Sequence, residues 1–330
     1  MQQFSIKKAE WDKAIEQLLL SYTIYAAIDN GFGIDYEVAD QANISRISYN
    51  KAKPATSLKT FFLPVKENVT GDPTVRKPRI IMGAPNCDIQ GLRLLDEIYL
   101  DKDFDDLFYR VRRENTILIS ADCFEKQDHC HCTSYNVNPW STEDADMAAI
   151  LIGDMIILRV ITQKGEDFIR QFSLVRPLDN EGIISEIEKK HKEAELLLAE
   201  TNKGLPDYKT TGAIVGKAGE ETWEKYSANC VSCGACATIC PTCSCFLLID
   251  KPGFEKIKQL DACQYPGFER VAGGEDALHE LHHRFRNRYM CKYVWKSEKF
   301  HSLACTGCGR CIEACIGKIN KNELFMELVK

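Results

Sequence analysis

Two cysteine runs in the last third of the chain limit what it can fold into more than any other feature. Cysteines stand at 230, 233, 236 and 240, and the same spacing returns at 305, 308, 311 and 315. The two-residue gaps let three thiolates of one loop reach three irons of a [4Fe-4S] cluster, and in two-cluster proteins the fourth cysteine of each run ligates the other cluster. We therefore predict two cross-ligated clusters. The predicted ligands are Cys230, Cys233, Cys236 and Cys315 for the first cluster, and Cys305, Cys308, Cys311 and Cys240 for the second.

Disulfides and structural zinc are the alternative uses for the 16 cysteines of the chain. Disulfides join distant segments, whereas ligand cysteines bunch within one loop, as these do. Zinc sites use paired Cys-x-x-Cys motifs but rarely need a third and fourth cysteine at this spacing. Gly234, Gly307 and Gly309 would reduce crowding where the backbone wraps a cluster. Ile316 replaces the proline that follows the first run, and we expect the cluster to form regardless, because proline only stiffens that turn.

Four cysteines in the N-terminal half favour a third [4Fe-4S] cluster. Two of them each follow a predicted strand, so in a parallel sheet they project from the same edge, and the other two could close over that edge. Four thiolates are the usual ligand set of such a cluster. The alternative is that all four pack as small hydrophobic residues. His129 and His131 are expected to be surface polar residues. The candidate ligands are Cys87, Cys123, Cys130 and Cys132.

The remaining four cysteines have no diagnostic spacing. Cys243 and Cys245 follow the first run so closely that they must lie near a cluster, where packing or hydrogen bonding to sulfur is the expected role. Cys263 and Cys291 are expected to be buried structural thiols. The basic stretch 279–296 is expected to be a solvated helix face, with docking of an acidic partner or compensation of cluster charge as alternatives.

Strand and helix patterns alternate ahead of the cysteine runs. This alternation predicts an α/β domain with a mainly parallel sheet. Predicted strands cover 79–84, 116–121 and 155–162, and predicted helices cover 6–22, 89–98, 166–172 and 183–200.

The domain organisation follows from a change in composition after the last of these helices. Residues 201–221 contain four glycines and a proline and show little periodicity, which is typical of a linker. We predict an α/β domain at 1–205, a linker at 206–222 and an α-helical, ferredoxin-like two-cluster domain at 223–330. The last domain should contain a helix starting near Glu221 and a basic helix over 275–295.

Charge and hydropathy exclude several classes of function. A formal net charge of -6 argues against a nucleic-acid or anionic-membrane surface. No apolar run reaches the roughly 20 residues of a membrane span, and the N-terminus lacks the features of a signal peptide, so we expect a cytoplasmic protein. The glycines at 212–217 and 31–33 fit neither a P-loop nor a dinucleotide fingerprint, so we expect no NAD(P) site in this chain.

With these residues laid out, the chain resembles a family of cytoplasmic iron-sulfur subunits. This family includes the A subunit of anaerobic sulfite reductase and the beta subunit of NAD(P)-linked, sulfhydrogenase-type nickel-iron hydrogenases. The resemblance covers much of 80–135 and nearly all of 223–315. It lies in Cys87-Asp88, Cys130-His131-Cys132-Thr133-Ser134, Trp223, Cys230-Val231-Ser232-Cys233-Gly234, Cys240-Pro241-Thr242-Cys243-Ser244-Cys245, Cys263, Pro266-Gly267-Phe268, Ala272-Gly273-Gly274 and Cys305-Thr306-Gly307-Cys308-Gly309-Arg310-Cys311.

The resemblance implies an electron conduit between a flavoprotein subunit that binds NAD(P)H and a catalytic oxidoreductase subunit, and it supports the third cluster. We therefore expect that the chain is a non-catalytic electron-transfer subunit. Its complex would contain a catalytic subunit of the hydrogenase or the sulfite reductase type. The alternative is a catalytic iron-sulfur subunit that reduces a sulfur substrate directly. An iron-sulfur sensor would need an output domain, and the sequence patterns show none.

Overall fold

A computed structural model describes residues 1–51, 53–74 and 77–330 of the chain. Its main sheet has eight strands in the order β3-β2-β5-β6-β7-β8-β1-β9, and a second sheet has the order β10-β11-β4. The strands are β1 Gln3–Lys7, β2 Thr23–Asp29, β3 Ile34–Val38, β4 Lys66–Asn68, β5 Arg79–Pro85, β6 Thr116–Ala121, β7 Met147–Ile152, β8 Met155–Val160, β9 Arg176–Pro177, β10 Phe246–Lys251 and β11 Glu255–Leu260.

The main sheet is mixed, so the prediction of a mainly parallel sheet is wrong. Only the four neighbours β2, β5, β6 and β7 run parallel, and the remaining pairs are antiparallel. The reason is a tight hairpin between β7 and β8, where Ile152 pairs with Met155 across the two-residue turn Gly153-Asp154. Gly153 supplies the positive φ of +58° that such turns require.

Twelve α-helices complete the described part of the chain. They are α1 Lys8–Leu18, α2 Asn86–Tyr99, α3 Leu107–Glu114, α4 Gln163–Ile169, α5 Glu181–Thr201, α6 Tyr208–Lys217, α7 Glu220–Ser227, α8 Ala235–Thr238, α9 Leu281–Met290, α10 Lys296–Lys299, α11 Arg310–Glu313 and α12 Lys321–Val329. A π-helical turn, Cys291–Trp295, joins α9 to α10. No helix of the described residues combines the length and hydropathy that crossing a membrane requires.

Helices cover both faces of the main sheet. Trp11 and Ile15 of α1 pack with Ile80 and Ile119 on one face. On the other face, Leu92 and other apolar residues of α2 pack with strand residues of β5 and β6. The N-terminal half is therefore an α/β layer structure, as predicted, and β1 occupies the first residues of the helix that we predicted to begin at Ile6.

The stretch predicted as a linker, 206–222, is helical and packed rather than irregular. The Asp207 side chain accepts a hydrogen bond from the Thr210 N–H and caps α6, in which Val215 is fully buried. A Cβ on Gly212 would lie 2.5 Å from the carbonyl oxygen of Tyr293, so this glycine allows close helix packing. At Gly212, the glycine that suggested a linker instead allows two helices to pack closely together. The division of the chain at this point stays a prediction.

The C-terminal part is mostly helical but also contains a β-hairpin. Strands β10 and β11 pair with each other, and β11 also pairs with β4 from the N-terminal half. The two halves of the chain thus share a sheet. The helices near the cysteine runs enclose an aromatic core that includes Trp223, Tyr289 and Phe325.

Candidate iron-sulfur centres

We divide the predicted ligand cysteines into the three groups that the spacing predicts. We call them the first centre (Cys230, Cys233, Cys236 and Cys315), the second centre (Cys240, Cys305, Cys308 and Cys311) and the third centre (Cys87, Cys123, Cys130 and Cys132). Every one of these cysteines is a free thiol in the structure.

The first centre joins the start of the first run to the end of the second. Burial raises the pKa of Cys230, and the nearby thiolates of Cys315 and Cys233 add to the rise. Cys315 therefore lies beside the first run, which is the placement that cross-ligation requires. Cys233 is exposed, so the first centre reaches the molecular surface.

The four cysteines of the second centre line one cavity. The fourth cysteine of the first run, Cys240, contributes to its wall beside the three cysteines of the second run. Arg288, Lys292 and Lys321 line the same cavity. Three positive side chains beside four thiolates would offset the net negative charge of a bound cluster.

Lys292 makes the closest of these contacts with a thiol. Its ammonium Nζ donates to the Cys240 Sγ at 3.2 Å, to the Thr242 hydroxyl at 2.8 Å and to the Ala304 carbonyl at 3.0 Å. A hydrogen bond from Cys243 holds the pKa of Cys240 well below its usual value, and Lys292 lowers it further against the effect of burial. The thiolate form that binds iron is thus favoured at this position.

Positive residues of the stretch 279–296 point inward rather than toward solvent. Arg284, Arg288 and Lys292 are all buried. The expectation of a solvated helix face is wrong for these three residues, and the alternative of charge compensation describes them better. The physical reason is that nearby thiolates make buried positive charges favourable.

The third centre lies around another cavity, at the edge where β5 and β6 end. All four of its cysteines line this cavity. Cys87 lies in the first turn of α2, directly after β5, and Cys123 follows β6, as the strand predictions required. Burial raises the pKa of Cys123, with the Cys132 and Cys130 thiolates as the next causes. Four cysteines from one loop and two strand ends therefore line the same cavity.

His131, expected on the surface, is fully buried between the N-terminal cysteines and α12. Its Nε2 lies 2.8 Å from the Nζ of Lys321, and its Nδ1 lies 2.7 Å from the carbonyl oxygen of His129. Burial and the positive charge of Lys321 hold the pKa of His131 well below its usual value. The expectation failed because a sequence does not show that α12 covers this loop.

The second and third centres are adjacent. Cys308 lines both cavities. The His131 N–H donates to the Gly307 carbonyl at 2.8 Å, which joins the ligand loops of the two centres. A Cβ on Gly307 would lie 2.6 Å from the Cα of Cys132, and the φ of Gly307 is +70°. Only glycine permits this approach of the two loops.

An ion pair between Asp88 and Arg310 also fixes the two centres relative to each other. The Asp88 carboxylate accepts two hydrogen bonds from the Arg310 guanidinium, at 2.5 and 2.9 Å, and both side chains are at most 1% exposed. Arg310 also donates to the Pro54 carbonyl at 2.9 Å. Asp88 directly follows Cys87 of the third centre, and Arg310 lies two positions after Cys308 of the second centre. The ion pair therefore holds the two centres next to each other.

Zinc fits these groups poorly. A four-cysteine zinc site has sulfur atoms about 3.8 Å apart, as Zn–S bonds of about 2.3 Å in a tetrahedron require. Within residues 1–51, 53–74 and 77–330, the only three metal-ligating side chains with ligand atoms all within 4.8 Å are Glu220, His282 and His283. The cysteine groups are wider than this limit, in keeping with ligands that surround a four-iron cluster rather than a single ion.

Sequence reasoning missed the polar residues that support the centres. Lys53, buried beside the third centre, donates to Glu313 at 2.7 Å and lies 3.5 Å from the Cys130 Sγ. Nothing in the spacing of Lys53, Lys292 or Lys321 indicates that they lie beside thiols. The adjacency of Asp88 to Cys87 was the one available signal.

Comparisons with known proteins agree with this geometry. Residues 229–319 match the model of a 4Fe-4S dicluster domain. The chain is also 29% identical over 255 residues to the sulfhydrogenase 2 subunit beta of Pyrococcus furiosus, an alignment that covers 76% of this chain and 73% of that subunit. The first and second centres both lie within the matched domain.

Proposed function

We propose that the chain is an iron-sulfur subunit of the sulfhydrogenase beta type and that it relays electrons through three [4Fe-4S] clusters. The dicluster match and the likeness to the Pyrococcus furiosus subunit support this proposal. The observation that carries this proposal is the shared wall between the second and third cavities, to which Cys308 contributes. Bound clusters would supply one-electron transfer at potentials set by their surroundings. The proposed ligands are the twelve cysteines of the three centres, with Cys240 and Cys315 exchanged between the runs.

The chain's own residues order and tune these centres. Asp88 and Arg310 hold the third centre beside the second, and Gly307 brings their loops into contact. Lys292 places a positive charge against the second centre, which favours its reduced state. The exposed Cys233 brings the first centre to the surface, where a partner can exchange electrons with it.

The proposed partners are a flavoprotein subunit that binds NAD(P)H and a catalytic oxidoreductase subunit of hydrogenase or sulfite reductase type. The relative from Pyrococcus furiosus is by its name a subunit, which supports a place for this chain in a complex. We place the complex in the cytoplasm, where thiols stay reduced.

The test is electron transfer through the complex purified with its partner subunits. Cys311→Ser should remove the second cluster, about a third of the iron of three clusters. It should also stop the transfer of electrons from NAD(P)H to the catalytic subunit, while the flavin is still reduced. Phe104→Ala, on an exposed loop, serves as the control and should leave transfer unchanged. Unchanged transfer in a Cys311→Ser complex that lacks this iron would refute the relay.

A second candidate function is direct reduction of a sulfur compound. The observation that favours it is the exposure of Cys245, which lies within the matched dicluster domain. Turnover by the isolated chain with an artificial electron donor, lost on Cys245→Ala, would establish this function. Absence of turnover by a fully loaded chain would exclude it.

A further inference from the structure

Four cysteines stay unused when twelve are assigned to three centres. They are Cys243, Cys245, Cys263 and Cys291, and all are free thiols. Four is the number of thiolates that one more [4Fe-4S] cluster takes. Whether they form a site depends on whether the fold brings them together.

The β10-β11 hairpin brings two of them to its open end. Cys245 directly precedes β10, and Cys263 follows β11 by three residues. Phe246 pairs with Leu260, and the Asp261 N–H donates to the Cys245 carbonyl at 2.9 Å, so the pairing extends to the cysteine itself.

The helix that carries Cys291 lies along this open end. Before the cysteine, Arg284 donates to the Gln264 carbonyl at 3.3 Å. After it, Lys296 donates to the Ser244 hydroxyl at 2.9 Å. Cys291 lies between these two contacts and begins the π-helical turn. Such turns are rare and are frequent at functional sites.

The three sulfurs are close enough to influence one another. Burial raises the pKa of Cys263 to about 12, and the thiolates of Cys245 and Cys291 contribute to the rise while Arg288 opposes it. Desolvation of its sulfur raises the pKa of Cys245 as well, with Cys291 again contributing. Cys263 is therefore near both Cys245 and Cys291, and Cys245 is also near Cys291.

A single side chain connects this group to the first centre. The Cys236 thiol donates to the Gln264 amide oxygen at 3.3 Å, and the Gln264 amide nitrogen donates to the Cys263 Sγ at 3.4 Å. Arg288 and Lys296 supply positive charge nearby, which would offset the charge of a thiolate-ligated cluster.

We propose that Cys245, Cys263 and Cys291 hold a fourth [4Fe-4S] cluster next to the first centre. The fourth iron is left to a ligand from solution at the exposed side of Cys245, because Cys243 hydrogen-bonds to Cys240 of the second centre. The chain then carries four centres, and the fourth lies beyond the first, on the side of the hairpin. This proposal rests on the proposed function only in that both require the chain to bind iron-sulfur clusters.

The test is the iron and acid-labile sulfide content of the full chain, prepared and reconstituted without oxygen. We expect about sixteen irons in the wild-type chain and about twelve in Cys245→Ser/Cys263→Ser, a loss of about a quarter, with four irons per cluster. Cys291→Ala should also lose about four irons. Because Cys291 lies on the helix and not on the hairpin, this variant tests the site even if the double variant does not fold. Phe254→Ala, at the fully exposed hairpin tip, is the control and should keep the wild-type content.

Two results would overturn the fourth site. One is about twelve irons in both the wild-type chain and the cysteine variants. The other is bound zinc in the wild-type chain that these variants lose. A wild-type content below about four irons would instead refute the proposed function itself, because even the two clusters of the dicluster domain need about eight.

Discussion

Breaking the ion pair between Asp88 and Arg310 should destabilise the protein more than any other single charge change we consider. Asp88→Asn keeps the shape of the side chain but leaves the Arg310 guanidinium buried without its counter-charge. Both groups are at most 1% exposed, and Asp88 also accepts from the Leu58 N–H at 3.0 Å. Removing one partner of such a buried pair costs about 3–5 kcal/mol. We expect a loss in this range from the free energy of unfolding.

Urea unfolding under anaerobic conditions measures this loss, with tryptophan fluorescence and the visible absorbance of the clusters as two probes. The double variant Asp88→Asn/Arg310→Met should lose less than the sum of the two single variants, because no unpaired charge remains. Glu143→Gln breaks the exposed pair with Arg93 and is the matched control, with an expected change below about 1 kcal/mol. A loss below about 1 kcal/mol for Asp88→Asn would refute the reasoning, since the pair would then not be desolvated.

Three further predictions concern individual centres. Lys292→Met should lower the reduction potential of the second cluster by on the order of 100 mV, or about 2.3 kcal/mol. The reason is the loss of a buried positive charge that favours the reduced cluster, and a redox titration followed by EPR measures the potential. Gly307→Ala should reduce the iron content of the second and third centres, because its Cβ would collide with the Cys132 loop. Gly204→Ala is the control: Gly204 also has a positive φ, of +87°, but no atom lies within 4 Å of its Cβ, so this variant should keep its full iron content. Cys240→Ser should remove the second cluster and leave the first, and Cys315→Ser should remove the first and leave the second. Spin quantification by EPR measures both clusters, and loss of the first cluster in Cys240→Ser would contradict cross-ligation.

The sequence was most informative where a segment is buried on both faces. Strand β6 covers the predicted residues 116–121, and β5 extends the predicted 79–84 by one residue. These strands are continuous apolar runs, which a parallel sheet centre favours. The hairpin β10-β11 was missed because β10 is almost entirely exposed and neither strand alternates regularly between apolar and polar residues, so no periodic apolar face marks it.

Cysteine spacing indicated which sulfurs group together, but not what surrounds them. The run spacing predicts Cys315 with the first run and Cys240 with the second. In the structure Cys315 lies near Cys230, and Cys240 lines a cavity with Cys305, Cys308 and Cys311, while the ligand assignment stays a prediction. The Asp88–Arg310 pair joins residues 222 positions apart, and local patterns carry no information about such contacts. Cys263 and Cys291 had no partner at a diagnostic spacing, because the open end of a hairpin and a separate helix bring them together.

We infer that the chain holds cubane clusters in three centres, or in four with the additional site. Iron and acid-labile sulfide content of the anaerobically purified chain, combined with Mössbauer spectroscopy, tests it most directly. We expect at least about twelve irons per chain, all in [4Fe-4S] clusters with equal amounts of sulfide. About eight irons per chain or fewer, the content of two clusters, or zinc in place of iron, would contradict this expectation.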